Sequence, residues 1–138
     1  MSNLSQWRSG PRGTLWPKHT SETCMDPKFN IWFEIDGEVA TSRWRMELLA
    51  AIGRVGSITA GAEAMGVPYR VAWQKIHEME ERLGEELLDT RTGGVHGGGA
   101  RLTDAGRTHV ERMQAFCQAS DAAIDEIYRD VFVELSTE

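Results

Sequence analysis

A short polar run in the middle of the chain has the residue types that recognise DNA bases. Arg70 and Gln74 stand four residues apart, and Lys75 follows directly. An arginine fork matches the O6 and N7 acceptors of guanine, a glutamine amide matches the N6 and N7 edge of adenine, and a lysine suits phosphate. No acidic residue lies between Pro68 and His77. The run therefore predicts contact with double-stranded DNA.

Four other positions near this run are candidates for the same contact. Pro68 opens the predicted helix, and Ser57 caps the preceding helix, where a hydroxyl can face phosphate. Tyr69 and Trp73 lie beside the predicted core arc, so packing support and contact with a base or sugar both stay open. His77 lies on the outer face two turns into the helix, and we interpret it as solvated surface.

The sequence does not indicate an enzyme or a metal site. Cys24 and Cys117 lie far apart, and the four histidines are scattered without the C-x-x-C type of spacing that metal ligands show. We find no nucleophile with a nearby base and no carboxylate pair in a pocket-forming context. We therefore predict no catalysis, no metal and no cofactor.

Glycines and N-cap residues divide the middle of the chain into three helices. Ser42 and Ser57 are expected to cap the first two, and Gly66 is expected to end the second. Pro68 is expected at the first position of the third helix, which runs to Leu83. Four apolar residues of that helix fall within a narrow arc at 100° per residue and must face the core: Ala72, Ile76, Met79 and Leu83.

The N-terminal part of the chain predicts a tail and a β-hairpin. Residues 1–26 show no periodicity and are expected to be disordered. Residues 29–35 alternate apolar and polar at most positions, and residues 36–37, Asp-Gly, suit a tight turn before a second strand at residues 38–40.

A second hairpin is expected after the third helix. Residues 87–92 and 100–102 predict its strands, and the glycine-rich residues 93–99 predict a loop. This loop lacks the Lys-Ser/Thr pair of a phosphate-binding P-loop, so a DNA-binding wing explains the glycines better. Three flanking residues are candidates for phosphate or minor-groove contact, although solvated surface remains open for both arginines: Arg91, His96 and Arg101.

Residues 104–138 predict one long helix that pairs with a second copy of the chain. Thr103 is its N-cap candidate, and a helix of this length beyond a small domain needs a partner. Six apolar residues follow spacings of 3 and 4 and predict the dimer interface: Val110, Met113, Cys117, Ile124, Ile127 and Val131. This segment is also acidic, because residues 104–138 hold three basic and eight acidic side chains while residues 42–103 hold eight of each.

Several of these segments together resemble a known family. Residues 57–67 and 79–88 resemble the DNA-binding domain of LysR-type regulators. Within that class, residues 69–73, the loop and strand at residues 93–103, and the hairpin with Asp-Gly are similar to the N-terminal domain of ModE, the molybdate-responsive repressor family. The resemblance covers about residues 27–130.

The resemblance implies a dimer that binds a palindromic operator. It places Tyr69, Arg70 and Trp73 in the recognition helix and implies a glycine-rich wing. Full-length ModE proteins continue into C-terminal molybdate-binding domains, whereas this sequence stops at Glu138. The resemblance therefore implies a link to molybdenum metabolism and leaves open whether this chain binds molybdate itself.

The sequence thus predicts a mainly α (α+β) fold: a disordered tail at 1–26, a winged helix-turn-helix at 27–103 and a dimerisation helix at 104–138. We predict a cytoplasmic, homodimeric transcription regulator, since the sequence has neither a signal-peptide pattern nor a membrane-spanning apolar run. The net charge of −6 keeps a second hypothesis open, in which the same fold binds a protein partner and binds DNA weakly. A small-molecule effector at the dimer interface also stays open.

Overall fold

The computed structural model describes residues 26–91 and 99–133. The predicted disordered tail, except for Asp26, and the tip of the wing with His96 lie outside the described residues. The elements are β1 (Trp32–Ile35), β2 (Glu38–Ser42), α1 (Arg43–Val55), α2 (Ile58–Ala64), α3 (Tyr69–Leu83), β3 (Leu88–Arg91), β4 (Gly99–Leu102) and α4 (Asp104–Tyr128), which continues as a π-helical turn over Arg129–Val133.

The first hairpin pairs β1 with β2 in antiparallel order, with Trp32 opposite Ser42. Its turn places Asp36 at φ 52° and Gly37 at φ 80°. Both angles lie in the left-handed region that a tight hairpin turn requires, which confirms the predicted Asp-Gly turn. The first strand begins at Trp32, later than the alternation from residue 29 suggested.

Side-chain caps start three of the helices. The hydroxyls of Ser42, Ser57 and Thr103 each accept a backbone N–H from three residues ahead at 3.0 Å. These bonds satisfy donors that the first turn of a helix leaves free. All three predicted caps are confirmed.

The core lies where α1, α2, α3 and the first half of α4 meet the base of the second hairpin. Its largest fully buried side chains are Leu48, Leu49, Ile52, Ile76, Met79 and Leu87. The arc predicted for α3 is confirmed, since Ala72, Ile76 and Met79 are buried and Leu83 packs against the cluster.

Helix α4 contributes to this same core. Val110, Met113 and Cys117 are buried within one chain, although the sequence analysis assigned them to a dimer interface. The reason is that the first half of α4 packs along α1. Farther along α4, Asp121 forms a two-pronged ion pair with Arg43 of α1. The side chains of Ile127 and Val131 remain exposed farther along.

Candidate nucleic-acid interface

Helices α2 and α3 are joined by a tight turn that fixes their mutual angle. Gly66 adopts φ 68°, and the Val67 N–H donates to the carbonyl of Ala62 at 3.0 Å. Pro68 is the N-cap of α3, with φ −61° and ψ 146°, and not its first helical residue as predicted. The carbonyl of Pro68 already accepts the first N–H groups of the helix while its own backbone is still extended.

Helix α3 has one buried side and one exposed side. Opposite the buried arc, the helix exposes polar and aromatic side chains that no other described element covers. They are Tyr69, Arg70, Trp73, Gln74, His77 and Glu81. Because the first turn and outer face of such a helix can enter a major groove, this side of α3 has the shape needed to contact base edges.

The aromatic residues of α3 lie on this surface. Tyr69 is 51% exposed and Trp73 is 42% exposed, so neither is part of the core. The Trp73 ring packs on the ring of His77 at 3.8 Å between centroids, and His77 in turn lies 3.3 Å from a Glu80 carboxylate oxygen. His77 therefore supports Trp73 from the C-terminal side, a role that the sequence analysis did not assign to it.

A carboxylate lies behind the polar side chains of α3. Glu78 accepts hydrogen bonds from Gln74 at 3.0 Å, from Lys75 at 3.3 Å and from Arg45 of α1 at 2.8 Å. Arg82, one turn farther on, lies 3.6 Å from the same carboxylate. Glu78 therefore connects two of the predicted DNA-binding side chains to the core of the domain.

The cations around Glu78 also set its ionisation. Burial by itself would raise the pKa of Glu78, but hydrogen bonds from Lys75 and Gln74 and the charge of Arg45 outweigh it and hold this pKa below its usual range. The carboxylate is thus charged at neutral pH. Sequence reasoning missed Glu78 because its partner Arg45 lies 33 residues away, and an i, i+4 Gln–Glu spacing was the only local signal.

The second hairpin forms the base of the predicted wing. β3 and β4 pair in antiparallel order with Asp89 opposite Arg101, and both Arg91 and Arg101 are exposed. The Ala100 N–H donates to the carbonyl of Gly56 at 2.8 Å, which fastens the hairpin to the turn between α1 and α2. The wing base therefore has a fixed place relative to the helix-turn-helix.

Ser57 lies at the start of α2, half-buried, with its hydroxyl already accepting the Ala60 N–H. Its contact with phosphate stays a prediction, as do the contacts of the other candidate residues with DNA. Among the described side chains, no three His, Cys, Asp or Glu residues gather as metal ligands would. None of the described helices combines the length and apolar character needed to cross a membrane.

A separate apolar surface lies on β1 and α4. Phe116 of α4 packs against Phe33 of β1 with 5.1 Å between ring centroids, and both residues remain partly exposed. The groove beside them is lined by Trp32, Ile124 and Ile127 among others. Exposed apolar side chains grouped in this way can mark a surface that another chain covers.

Comparison with known proteins identifies the helical part of this fold. Residues 44–107 match the family model described as a bacterial regulatory helix-turn-helix protein of the lysR family. The chain is also similar in fold to the DNA-binding domain of CbnR in its complex with DNA, with a TM-score of 0.52 and 20% identity over 62% of this chain and 93% of that one. The winged helix fold predicted from the sequence is therefore confirmed.

Two relatives in sequence are a molybdenum-pterin-binding protein and a DNA-binding transcriptional regulator. The chain is 40% identical to the molybdenum-pterin-binding protein MopB of Rhodobacter capsulatus, over 60% of this chain and 29% of MopB. It is 34% identical to the transcriptional dual regulator ModE of Escherichia coli K12, over 67% of this chain and 36% of ModE. The aligned part thus spans about a third of the length of each relative, and the similarity is that of a ModE-type N-terminal DNA-binding domain.

Proposed function

Residues 44–107 form a LysR-type helix-turn-helix domain, and from this premise we propose that the chain is a transcription regulator that binds specific double-stranded DNA as a homodimer. The proposal rests on the side chains at the exposed side of α3. Arg70, Trp73 and Gln74 lie there together on a helix whose opposite side is anchored in the core. A rigid helix with this surface suits entry into the major groove.

The overall charge of the chain is compatible with this function because the acids are unevenly placed. Eight acidic and three basic residues lie in residues 104–138, whereas residues 42–103 are balanced. Arg70 has no ion pair with any described residue, so its guanidinium is available to a base or phosphate. Phosphate attraction acts over about one Debye length, roughly 8–10 Å, so the local charge matters more than the net charge.

The homodimer is proposed from the second half of α4. Ile124, Ile127 and Val131 lie beyond the part of the helix that packs on α1, and Ile127 is 43% exposed. Together with Phe116 and Trp32 they offer an apolar surface that a second copy would cover. Two copies related by a two-fold axis would present two α3 helices to successive half-sites of an operator.

The link to molybdenum metabolism is proposed from the relatives. MopB is named a molybdenum-pterin-binding protein and ModE a DNA-binding transcriptional dual regulator, but this chain aligns with only about a third of each. We assign the chain a role as a DNA-binding regulator of that metabolism, acting in the cytoplasm by binding and not by catalysis.

The assignment of α3 as the recognition helix is tested by Arg70→Ala. We expect a loss of roughly 5- to 150-fold in affinity for operator DNA, with a smaller loss on scrambled DNA, because a base contact of this kind is worth about 1–3 kcal/mol. Fluorescence anisotropy at fixed salt gives both affinities. Arg112→Ala, an exposed arginine on α4, is the matched control and should leave the ratio of the two affinities unchanged. Unchanged operator binding by Arg70→Ala would refute the assignment.

A further inference from the structure

The hydrogen bond between Gln74 and Glu78 fixes which way the Gln74 amide faces. A charged carboxylate only accepts hydrogen bonds, so its partner on Gln74 must be the Nε2 amino group. The Nε2 to Oε1 distance is 3.0 Å. Since the oxygen and the nitrogen of a glutamine amide diverge from the amide carbon, the Gln74 carbonyl oxygen is directed away from Glu78.

Glu78 is itself held in place from behind. Its Oε2 atom accepts from Arg45 at 2.8 Å and from Lys75 at 3.3 Å, which leaves Oε1 for Gln74. The Arg45 side chain is only 9% exposed and belongs to α1. The orientation of the carboxylate is therefore set by the domain core and not by α3 alone.

We propose that Glu78 is a positioning residue for base specificity, which turns Gln74 so that its carbonyl acceptor faces the DNA. This inference rests on the proposed function, in which the exposed side of α3 lies in the major groove. The base recognised by Gln74 is then one that offers an exocyclic amino group in that groove, adenine through N6 or cytosine through N4.

The substitution Glu78→Gln should invert this preference. Three cations, Arg45, Lys75 and Arg82, surround the Oε2 side, and they require an acceptor there. The single oxygen of the new amide would face them, so its amino group would face Gln74. Gln74 would turn its carbonyl inward to accept that amino group, and its own amino group would point toward the DNA.

The experiment compares operators in which each base pair is inverted in turn, by competition anisotropy with the full chain. At the pair contacted by Gln74, the native protein should favour the orientation that presents an amino group by roughly 5- to 10-fold. Gln74→Ala, at an exposed position, should bring this ratio close to one and so locate the pair. Glu78→Gln should reverse the preference at that pair alone.

Two further variants complete the test. Glu111→Gln removes the same charge from an exposed position on α4, away from the exposed side of α3, and should leave every ratio unchanged. Glu78→Asp keeps the charge but shortens the side chain, so it should flatten the ratio at the Gln74 pair even if Glu78→Gln does not fold.

The outcomes separate this inference from the proposed function. A native protein with no preference at any pair would overturn both. If the native protein shows clear preferences, two results would refute the inference alone. The first is that Gln74→Ala changes none of these preferences. The second is that folded Glu78→Gln and Glu78→Asp both keep the native preference at the Gln74 pair. Reversal in Glu78→Gln, or flattening in Glu78→Asp, supports it.

Discussion

Individual side chains in this domain were predictable from sequence where their partners are local. Ser42 and Ser57 cap helices through backbone groups three residues away, and a local pattern is sufficient to identify such bonds. Glu78 was not identified because Arg45 approaches it from another helix. The periodicity of a single segment does not reveal a contact between side chains that belong to two different elements.

A second contact of this long-range kind joins His109 of α4 to Thr41 of β2, with 2.9 Å between the imidazole and the hydroxyl. Burial lowers the pKa of His109 below its usual value, against the smaller opposing effect of the Glu85 charge. The folded state therefore favours the neutral ring, whereas the unfolded chain takes up a proton near pH 6.5.

His109 should make the stability of the domain depend on pH. Because its folded pKa lies below the unfolded value, its contribution is fully present above about pH 6.5 and is lost as pH falls through the folded pKa. We expect the Tm to fall between pH 7.5 and pH 5.5, as measured by differential scanning fluorimetry. His109→Gln should flatten this dependence, while His77→Gln at an exposed ring should change it less. An equal slope in native protein and His109→Gln would contradict the prediction.

Among the elements, α1 and α2 approach each other most tightly at Gly61, where the structure places α2 directly on Ile52 of α1. At Gly61 an added Cβ would lie 2.9 Å from the Ile52 Cα and 3.0 Å from its backbone nitrogen, besides meeting the Ile52 side chain. Backbone atoms cannot rotate away, so this glycine is required by packing.

Gly61→Ala should therefore destabilise the domain although alanine favours helices. Separating α1 from α2 is expected to cost about 1–3 kcal/mol, more than the gain in helix propensity of up to about 1 kcal/mol. The Tm should fall by roughly 5–10 °C. Thr59→Ala, on the same helix at an exposed position, is the control and should change the Tm by less than about 2 °C. A Tm for Gly61→Ala equal to that of the native protein would show that α2 is free to shift.

In α4, the sequence pattern did not decide which apolar residues pack within the chain and which stay exposed. Val110 and Ile127 belong to the same apolar pattern with spacings of 3 and 4 along α4. Val110 is nevertheless buried in the chain's own core, whereas Ile127 is exposed. Periodicity indicates that a residue faces something apolar but does not say whether that surface is intramolecular. The Arg43–Asp121 ion pair lies near the point where the two roles of α4 separate.

At the scale of the whole molecule, the exposed side of α3 and the apolar second half of α4 differ in chemistry. The first offers polar and aromatic groups beside a wing base with exposed Arg91 and Arg101. The second offers apolar side chains that include Phe116 and Ile127. The proposed function therefore requires both surfaces to act in one complex, with two chains on each operator.

The central claim is that the chain alone recognises a DNA sequence. The most direct test is an anisotropy titration of the full chain with DNA from its own promoter region and with a scrambled duplex, across a series of salt concentrations. The account predicts a gap in affinity of about 10³ or more, a steep loss of affinity with salt, and saturation at two chains per duplex. Equal, weak binding to both duplexes would contradict it and would favour a protein partner as the target of this fold.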